Sequence, residues 1–399
     1  MLPDIIEIRR SLHAHPELSY HEKNTADMIS AWLTERGISH RKNVGGYGIA
    51  GLIEGKNPGK RVIALRADMD ALPVSEENRA EYKSQNPGVM HACGHDVHMA
   101  CLLGAATILN ELKDNFEGTV KLIFQPAEEK APGGALKMIE EGVLENPGVN
   151  AIFGQHVFPD LEAGKVGFRS GKYMASSDEI SLFVHGKGGH AAMPDKIDDT
   201  VLATAHILTA LQRIVSRAAN PMTPSVLSFG QIITDGGAMN VIPGKVSVHG
   251  TFRTFDEQWR KKAHKLIADV ARNTAKAYGC ICEAVVEKGY PFLVNDEQLT
   301  QQARQAAIEF ISKENVVELE PRMTAEDFAH YSHIVPACFY RLGTGNRKKG
   351  IVSGLHTPTF DVDESSLETG TGLMAWLAFE QLTRQRTKDK GQKTKDHKT

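Results

Sequence analysis

Between residues 176 and 288 the spacing of apolar residues falls out of step with the chain on either side of it. Before that stretch, short apolar runs at 49–53, 61–65, 120–124 and 151–156 alternate with helical periods. The helical periods cover the first forty residues, 97–112 and 135–141. Strands alternating with helices predict an α/β layer with a mostly parallel sheet. From 176 the order becomes strand 180–185, helix 200–217, strands 226–233 and 245–252, helix 256–278 and strand 281–286. That β-α-β-β-α-β order is the ferredoxin-like, split βαβ unit with an antiparallel sheet. After Gly289-Tyr290-Pro291 the alternation resumes, with helices near 296–312, 325–332 and 364–382 and a strand at 337–342. The pattern therefore predicts an α/β domain in two parts, 1–175 and 289–383, interrupted by an inserted α+β domain at 176–288. About 110 residues suffice for such an insert to have its own core.

Charge and composition narrow the function classes. A formal net charge of −3 speaks against a general nucleic-acid binder. Seven of the 46 Lys/Arg and two Asp fall in 384–399 (RQRTKDKGQKTKDHKT), a net +5 that takes the rest of the chain from −3 to −8; this segment has no apolar residue and reads as a disordered basic tail. The longest apolar stretch, 100–109, falls well short of the ~20 residues of a membrane span. Acidic residues at the amino terminus (MLPDIIEIRRSLHAHPE) argue against an export signal, so a cytoplasmic protein without membrane contact is expected. The five cysteines form no disulfide framework in a chain of this kind, and four of them read as small buried hydrophobes. Cys93 differs because of its neighbours.

The segment His91-Ala-Cys-Gly-His-Asp-Val-His98 packs three histidines, a cysteine and an aspartate just before a helix. On an extended chain Cys93 and His95 point to the same side and reach one place. Thiolate and imidazole suit zinc and similar ions, although a packed or redox Cys/His pair fits the segment equally well on its own. Gln125-Pro-Ala-Glu-Glu129 follows an apolar strand directly. Of two adjacent carboxylates at a strand end, one can ligate a metal while the other handles a water proton; a solvated acidic loop is the plainer alternative. His156 closes the run 151–156 and His356 lies in a late loop, Gly354-Leu-His-Thr-Pro358. Three of these four elements are strand ends or the turns after them in one proposed sheet, where functional side chains converge.

The motifs HAHPELS (13–19), RADMDALP (66–73), HACGHDVH (91–98), QPAEE (125–129), GKGGHAAMP (186–194), NVIPGK (240–245), GTFRTF (250–255), TAEDFA (324–329) and GLHTPTFD (354–361) occur in order. Together they resemble the co-catalytic metallopeptidase family of aminoacylases and bacterial carboxypeptidases, in the branch of hippurate hydrolases and auxin-conjugate amidohydrolases. The resemblance covers about residues 5 to 383. It implies hydrolysis of the amide bond of small N-acyl amino acids at a centre of two divalent metal ions, zinc or else manganese, cobalt or nickel. It further implies Cys93, His95, Glu129, His156 and His356 as metal ligands, with Cys93 bridging, and Glu128 as general acid/base. His190, Asn240 and Arg253 of the insert are implied substrate-binding residues. The insert itself would be a lid and dimerisation domain, giving a homodimer or tetramer. Asp70 reads as a carboxylate behind the metal ligands or as a turn-capping residue. Asp96 and His98 could steady His95 or cap its helix, and Glu326 and Asp327 hold the site loops. No nucleophile elbow, phosphate loop or H-E-x-x-H helix is present. A short-peptide peptidase at the same site, and a metal- or peptide-binding scaffold without turnover, stand as alternatives.

Overall fold

The computed structural model describes residues 1–383, so the basic tail expected at 384–399 lies outside the described residues. Eight strands form the larger sheet. In spatial order they are Ser39–Val44, Gly48–Glu54, Thr119–Gln125, Val62–Asp68, Ala151–Glu162, Ala337–Gly345, Val166–Phe168 and Val316–Glu318. The central pairings are parallel, whereas the edge beginning at Ser39 and the contact of Ala337–Gly345 with Val166–Phe168 are antiparallel. Every residue of Val62–Asp68, Thr119–Gln125 and Ala337–Gly345 is buried. Strands covered on both faces read as continuous apolar runs, which is why these are visible in the sequence.

The helices supply that cover. Leu2–Ala14, His95–Glu111, Glu297–Ile311 and Ser366–Thr383 pack one face through Leu12, Leu102, Ala307 and Leu377. Gly134–Glu140 and Ala329–Ser332 cover the other, around Met138, Phe328 and Tyr331. His95–Glu111 is apolar all round and sandwiched between layers. A Cβ on its Gly104 would lie 2.6 Å from Thr371 and 2.9 Å from Ile5, so only glycine lets the three helices close.

Residues 178–288 build a second, antiparallel sheet in the order Ser225–Thr234, Lys245–Thr254, Asp178–His185, Ile281–Lys288. Thr200–Arg213 and Glu257–Ala277 cover one face, and Asp178–His185 alternates inward and outward accordingly. Arg260 clamps the place where the chain enters and leaves this unit. It forms a two-oxygen pair with Asp178 and donates to the carbonyls of Ser177 and Gly289.

Several expected elements are corrected. In the first forty residues the helical period, interrupted at Pro16, divides into two helices, Leu2–Ala14 and Lys23–Glu35, with 15–22 outside either. Thr200–Arg213 gives way to a wider turn over Ile214–Ala218. Of the helix expected at 325–332 only Ala329–Ser332 is helical. The Glu326 and Asp327 side chains there are committed to Arg66, and Glu326 also accepts the Phe328 amide. The strand expected to end at His156 runs on to Glu162.

Candidate metal centre

The candidate ligands come from four places at one end of the parallel strands. Cys93 lies in the turn before the helix His95–Glu111, and Glu129 lies in the turn after Thr119–Gln125. His156 stands within Ala151–Glu162, and His356 sits in the loop before the last helix. The expected extended path from Cys93 to His95 is not what joins them. Gly94 has φ +76°, and a Cβ there would lie 2.5 Å from Val157, so a glycine turn folds the two ligands together. His356 and Ala127, the residue before Glu128, also have positive φ, which a non-glycine residue holds only when its surroundings fix it. The His356 amide donates to the Ala92 carbonyl at 2.8 Å, tying the late loop to the cysteine turn.

Cys93 belongs to two groups of potential ligand atoms, each mutually within 4.8 Å: Cys93, His95 and His156, and Cys93, Glu129 and His356. Cys93 Sγ is 3.4 Å from His156 Nε2, and Glu129 Oε1 is 3.2 Å from His356 Nε2 and 3.9 Å from His95 Nε2. His95 Nε2 is buried without a hydrogen-bond partner, and Glu129 Oε1 has only the His356 ring beside it. Ligand-type atoms left without a partner and aimed at one another fit a site that takes a cation. The donor set of one thiol, three imidazoles and a carboxylate suits two divalent cations that share the sulfur. Of three further clusters, His95, Glu128 and Glu129 belong to the same site, and two do not fit a metal. In Asp68, His95 and His98, the His98 ring accepts the Val157 amide at Nε2 and therefore gives its Nδ1 proton to Asp68, leaving it no free nitrogen. In Glu128, Glu326 and Asp327, the latter two are occupied by Arg66.

Asp70 is the hub behind the ligands. Its carboxylate accepts the amides of Glu128 and Glu129, each at 3.0 Å, and the Ser19 hydroxyl at 2.6 Å. His95 Nδ1 bonds the Asp70 carbonyl at 2.8 Å, which turns Nε2 toward the cluster. Asp96 faces away from the metal groups and accepts from Arg9 and His13, so it anchors the ligand-bearing helix to the first one.

The electrostatics are those of a centre built for cations. Burial opposes protonation of His95, but the carboxylates of Asp68, Asp70 and Glu129 outweigh it and lift its pKa to about 10. Burial and the nearby carboxylates push the Cys93 thiol well up, and the bond to Glu129 raises His356. Burial, helped by Arg341, holds His156 well below its usual value. Protons thus stand in where positive charge is wanted, and a bound metal ion displaces them. Glu128 is also raised well above the carboxylate range, by burial and by Glu326, Glu129, Asp327 and Asp68. Its backbone is fixed at both ends, through the Asp70 carboxylate and through the Tyr290 hydroxyl, which donates to its carbonyl at 2.6 Å.

Two cavities meet at this cluster and share Glu128, Glu129 and His356. One, of about 430 Å³, is walled by Phe158, Met174, Arg322 and Arg341. The other, of about 780 Å³, reaches along the second sheet and includes Arg253, whose guanidinium otherwise donates to the Met323 carbonyl. His190 and Asn240 are brought together, since the Ala191 amide bonds the Asn240 carbonyl and His190 pairs with Val241. Both are exposed and line neither cavity. Sequence reasoning missed Arg66, which binds Gln125, Asp68, Glu326 and Asp327 with no exposure, and Glu22, which accepts the Ala127 amide at the base of the Glu128 turn. The motif containing Arg66 carried a signal: an arginine inside an otherwise apolar strand needs buried acids.

With that geometry in place, comparison with known proteins is direct. The profile described as peptidase family M20/M25/M40 matches residues 64–380. The chain is 40% identical to the N-acetyl-L-cysteine deacetylase of Bacillus subtilis, over 91% of this chain and 84% of that protein. It is also 40% identical to the IAA-amino acid hydrolase ILR1-like 4 of Arabidopsis thaliana, over 95% and 86%. Among solved structures, Bacillus subtilis YXEP, described as a dinuclear metal binding peptidase, superposes with a TM-score of 0.82 at 35% identity, covering 96% of this chain and 98% of that one.

Proposed function

Since this chain belongs to peptidase family M20/M25/M40 and is an amidohydrolase of it, we propose that it cleaves the amide bond of N-acyl amino acids, with Glu128 as general acid/base. The observation that carries the reading is the double membership of Cys93 in two ligand groups with Glu128 directly beside them. Cys93, His95, Glu129, His156 and His356 would hold two divalent ions, zinc or else manganese, cobalt or nickel. When bound, such ions polarise a carbonyl and acidify water. Glu128 Oε takes the proton of the attacking water and delivers it to the leaving nitrogen, a transfer suited to a carboxyl whose proton affinity is raised. Asp70 keeps Glu128 and Glu129 apart by binding both amides, so one side chain is free for protons while the other ligates.

Arg253 is the group in the larger cavity suited to fork onto the amino acid's carboxylate. His190 and Asn240 would hydrogen-bond the substrate in the active site of a second copy, the unit 176–288 serving as lid and dimerisation domain. Supporting this, Met193, Ile232, Ile233 and Val241 are exposed near them, and Ser225–Thr234 is an open sheet edge. No helix of the described residues is long and apolar enough to cross a membrane, and all five cysteines are free and buried, in keeping with the reducing cytoplasm. The test is a panel of N-acyl amino acids and dipeptides assayed for released amine with metal-loaded Glu128→Gln and wild-type protein. A fall in kcat of about 10²–10⁴ with metal content retained is expected; unchanged turnover would remove the reaction from this site.

A further inference from the structure

The smaller cavity contains two positive charges that nothing in the metal chemistry uses. Arg341 is 2% exposed, stands beside the ligand His156 in register on the neighbouring parallel strand, and lines the cavity with Arg322. Among the described residues neither guanidinium has a carboxylate within ion-pair distance. Arg341 donates only to neutral acceptors, the Tyr173 hydroxyl at 2.9 Å and the Met174 sulfur at 3.2 Å. Arg322 Nη1 is buried without any partner. Aromatic faces rather than acids steady them, with Phe158 4.8 Å from Arg322 and Phe339 5.3 Å from Arg341. Burial, and then the charge of Arg341, press the pKa of Arg322 down, as expected of cations left to repel each other. Glu326 on the cavity wall is already committed to Arg66 and meets Arg341 only through space, and Asp160 acts on Arg322 from beyond ion-pair distance.

A buried charge without a counter-ion is costly, and a neutral side chain would fill the same space without that cost. The fork geometry of guanidinium matches a carboxylate on two atoms at once. We propose that Arg341 and Arg322 form a subsite for a carboxylate of the substrate, and that they determine its specificity. This rests on the hydrolytic reading above. The two cavities share Glu128, Glu129, Thr324, Ala325 and His356 and otherwise have different walls. If Arg253 holds the amino acid's own carboxylate in one, the acyl group enters the other, and its far end carries the second negative charge. The preferred substrate is thus a half-amide of a dicarboxylic acid.

Matched pairs test this with the metal-loaded enzyme: N-succinyl-L-alanine against N-butyryl-L-alanine for the acyl end, and N-acetyl-L-glutamate against N-acetyl-L-glutamine for the amino acid side chain. Wild type is expected to favour N-succinyl-L-alanine by about 10- to 100-fold in kcat/KM, falling toward parity in Arg341→Gln and Arg322→Gln. Because both members of a pair are measured on one sample, the ratio does not depend on how much of a variant folds. An arginine-dependent preference in the glutamate pair instead keeps the subsite and assigns it to the amino acid's side chain. Parity of both pairs in wild type, or a preference that survives both substitutions, overturns the proposal. Glutarate binding by calorimetry separates this from the hydrolytic reading. If no amide is cleaved that reading falls, whereas glutarate binding about tenfold weaker or more in Arg341→Gln still supports the subsite. No binding, or equal binding, overturns it.

Discussion

The metal centre and the inserted sheet handle polar groups in opposite ways. Around the centre, Arg66, Asp68, Asp70, His95, His98 and His156 are all 5% exposed or less and knit into one network. In the unit 178–288 the core is made of Ile180, Leu182, Val184, Ile207, Val248, Phe252 and Ile267, and its polar groups of interest, His190 and Asn240, lie outside. Its main buried ion pair, Arg260 with Asp178, sits at the joint with the larger sheet. The first region is completed by the chain's own packing. The second presents groups that need a surface from elsewhere. Positioning by burial gives fixed geometry, whereas positioning by exposure permits closure over a substrate.

That contrast can be broken at either end. His190→Ala is expected to lower kcat by about 10²-fold, as loss of an oxyanion donor does, while metal content by elemental analysis stays at the wild-type level. Loss of metal in that variant would mean that His190 belongs to the first region. Asp70→Ala should do the reverse, weakening metal affinity by about 10- to 100-fold in a chelator competition, because the Glu128 and Glu129 amides lose their acceptor and His95 Nδ1 loses the carboxylate oxygen 3.3 Å away. The smallest effect concerns Glu22, whose pKa burial and the charge of Asp70 raise to about 7. A raised carboxyl contributes stability that is complete in mildly acidic solution and lost as pH climbs through that value. Glu22→Gln keeps an acceptor for the Tyr20 and Ala127 amides without the charge. Its Tm should therefore rise relative to wild type, by a few degrees, between pH 5 and pH 8; a constant difference would contradict the shift.

Legibility in the sequence follows the same division. Val62–Asp68 and Thr119–Gln125 were readable because full burial writes a mostly apolar run, interrupted only by Arg66 in the first and Lys121 in the second before their polar ends, and the insert because its element order departs from its flanks. Ser39–Val44, with one buried residue in six, writes no such run and was missed. The ligand types at Cys93, His95 and Glu129 were visible from local chemistry. Their meeting point depends on Gly94 and on positive φ at Ala127 and His356, which no periodicity reports. The Arg341 and Arg322 pair was invisible for a different reason: each looks ordinary until the acids that should accompany it are found to be elsewhere.

Metal stoichiometry tests the central claim most directly. Wild type and Cys93→Ala would be dialysed to equilibrium against manganese or zinc, and the ions counted per chain. A sulfur shared by both ligand groups predicts two ions on wild type and loss of both from the variant. A variant that keeps even one ion at wild-type affinity would show that the two groups do not share Cys93, and the account of the centre given above would be wrong.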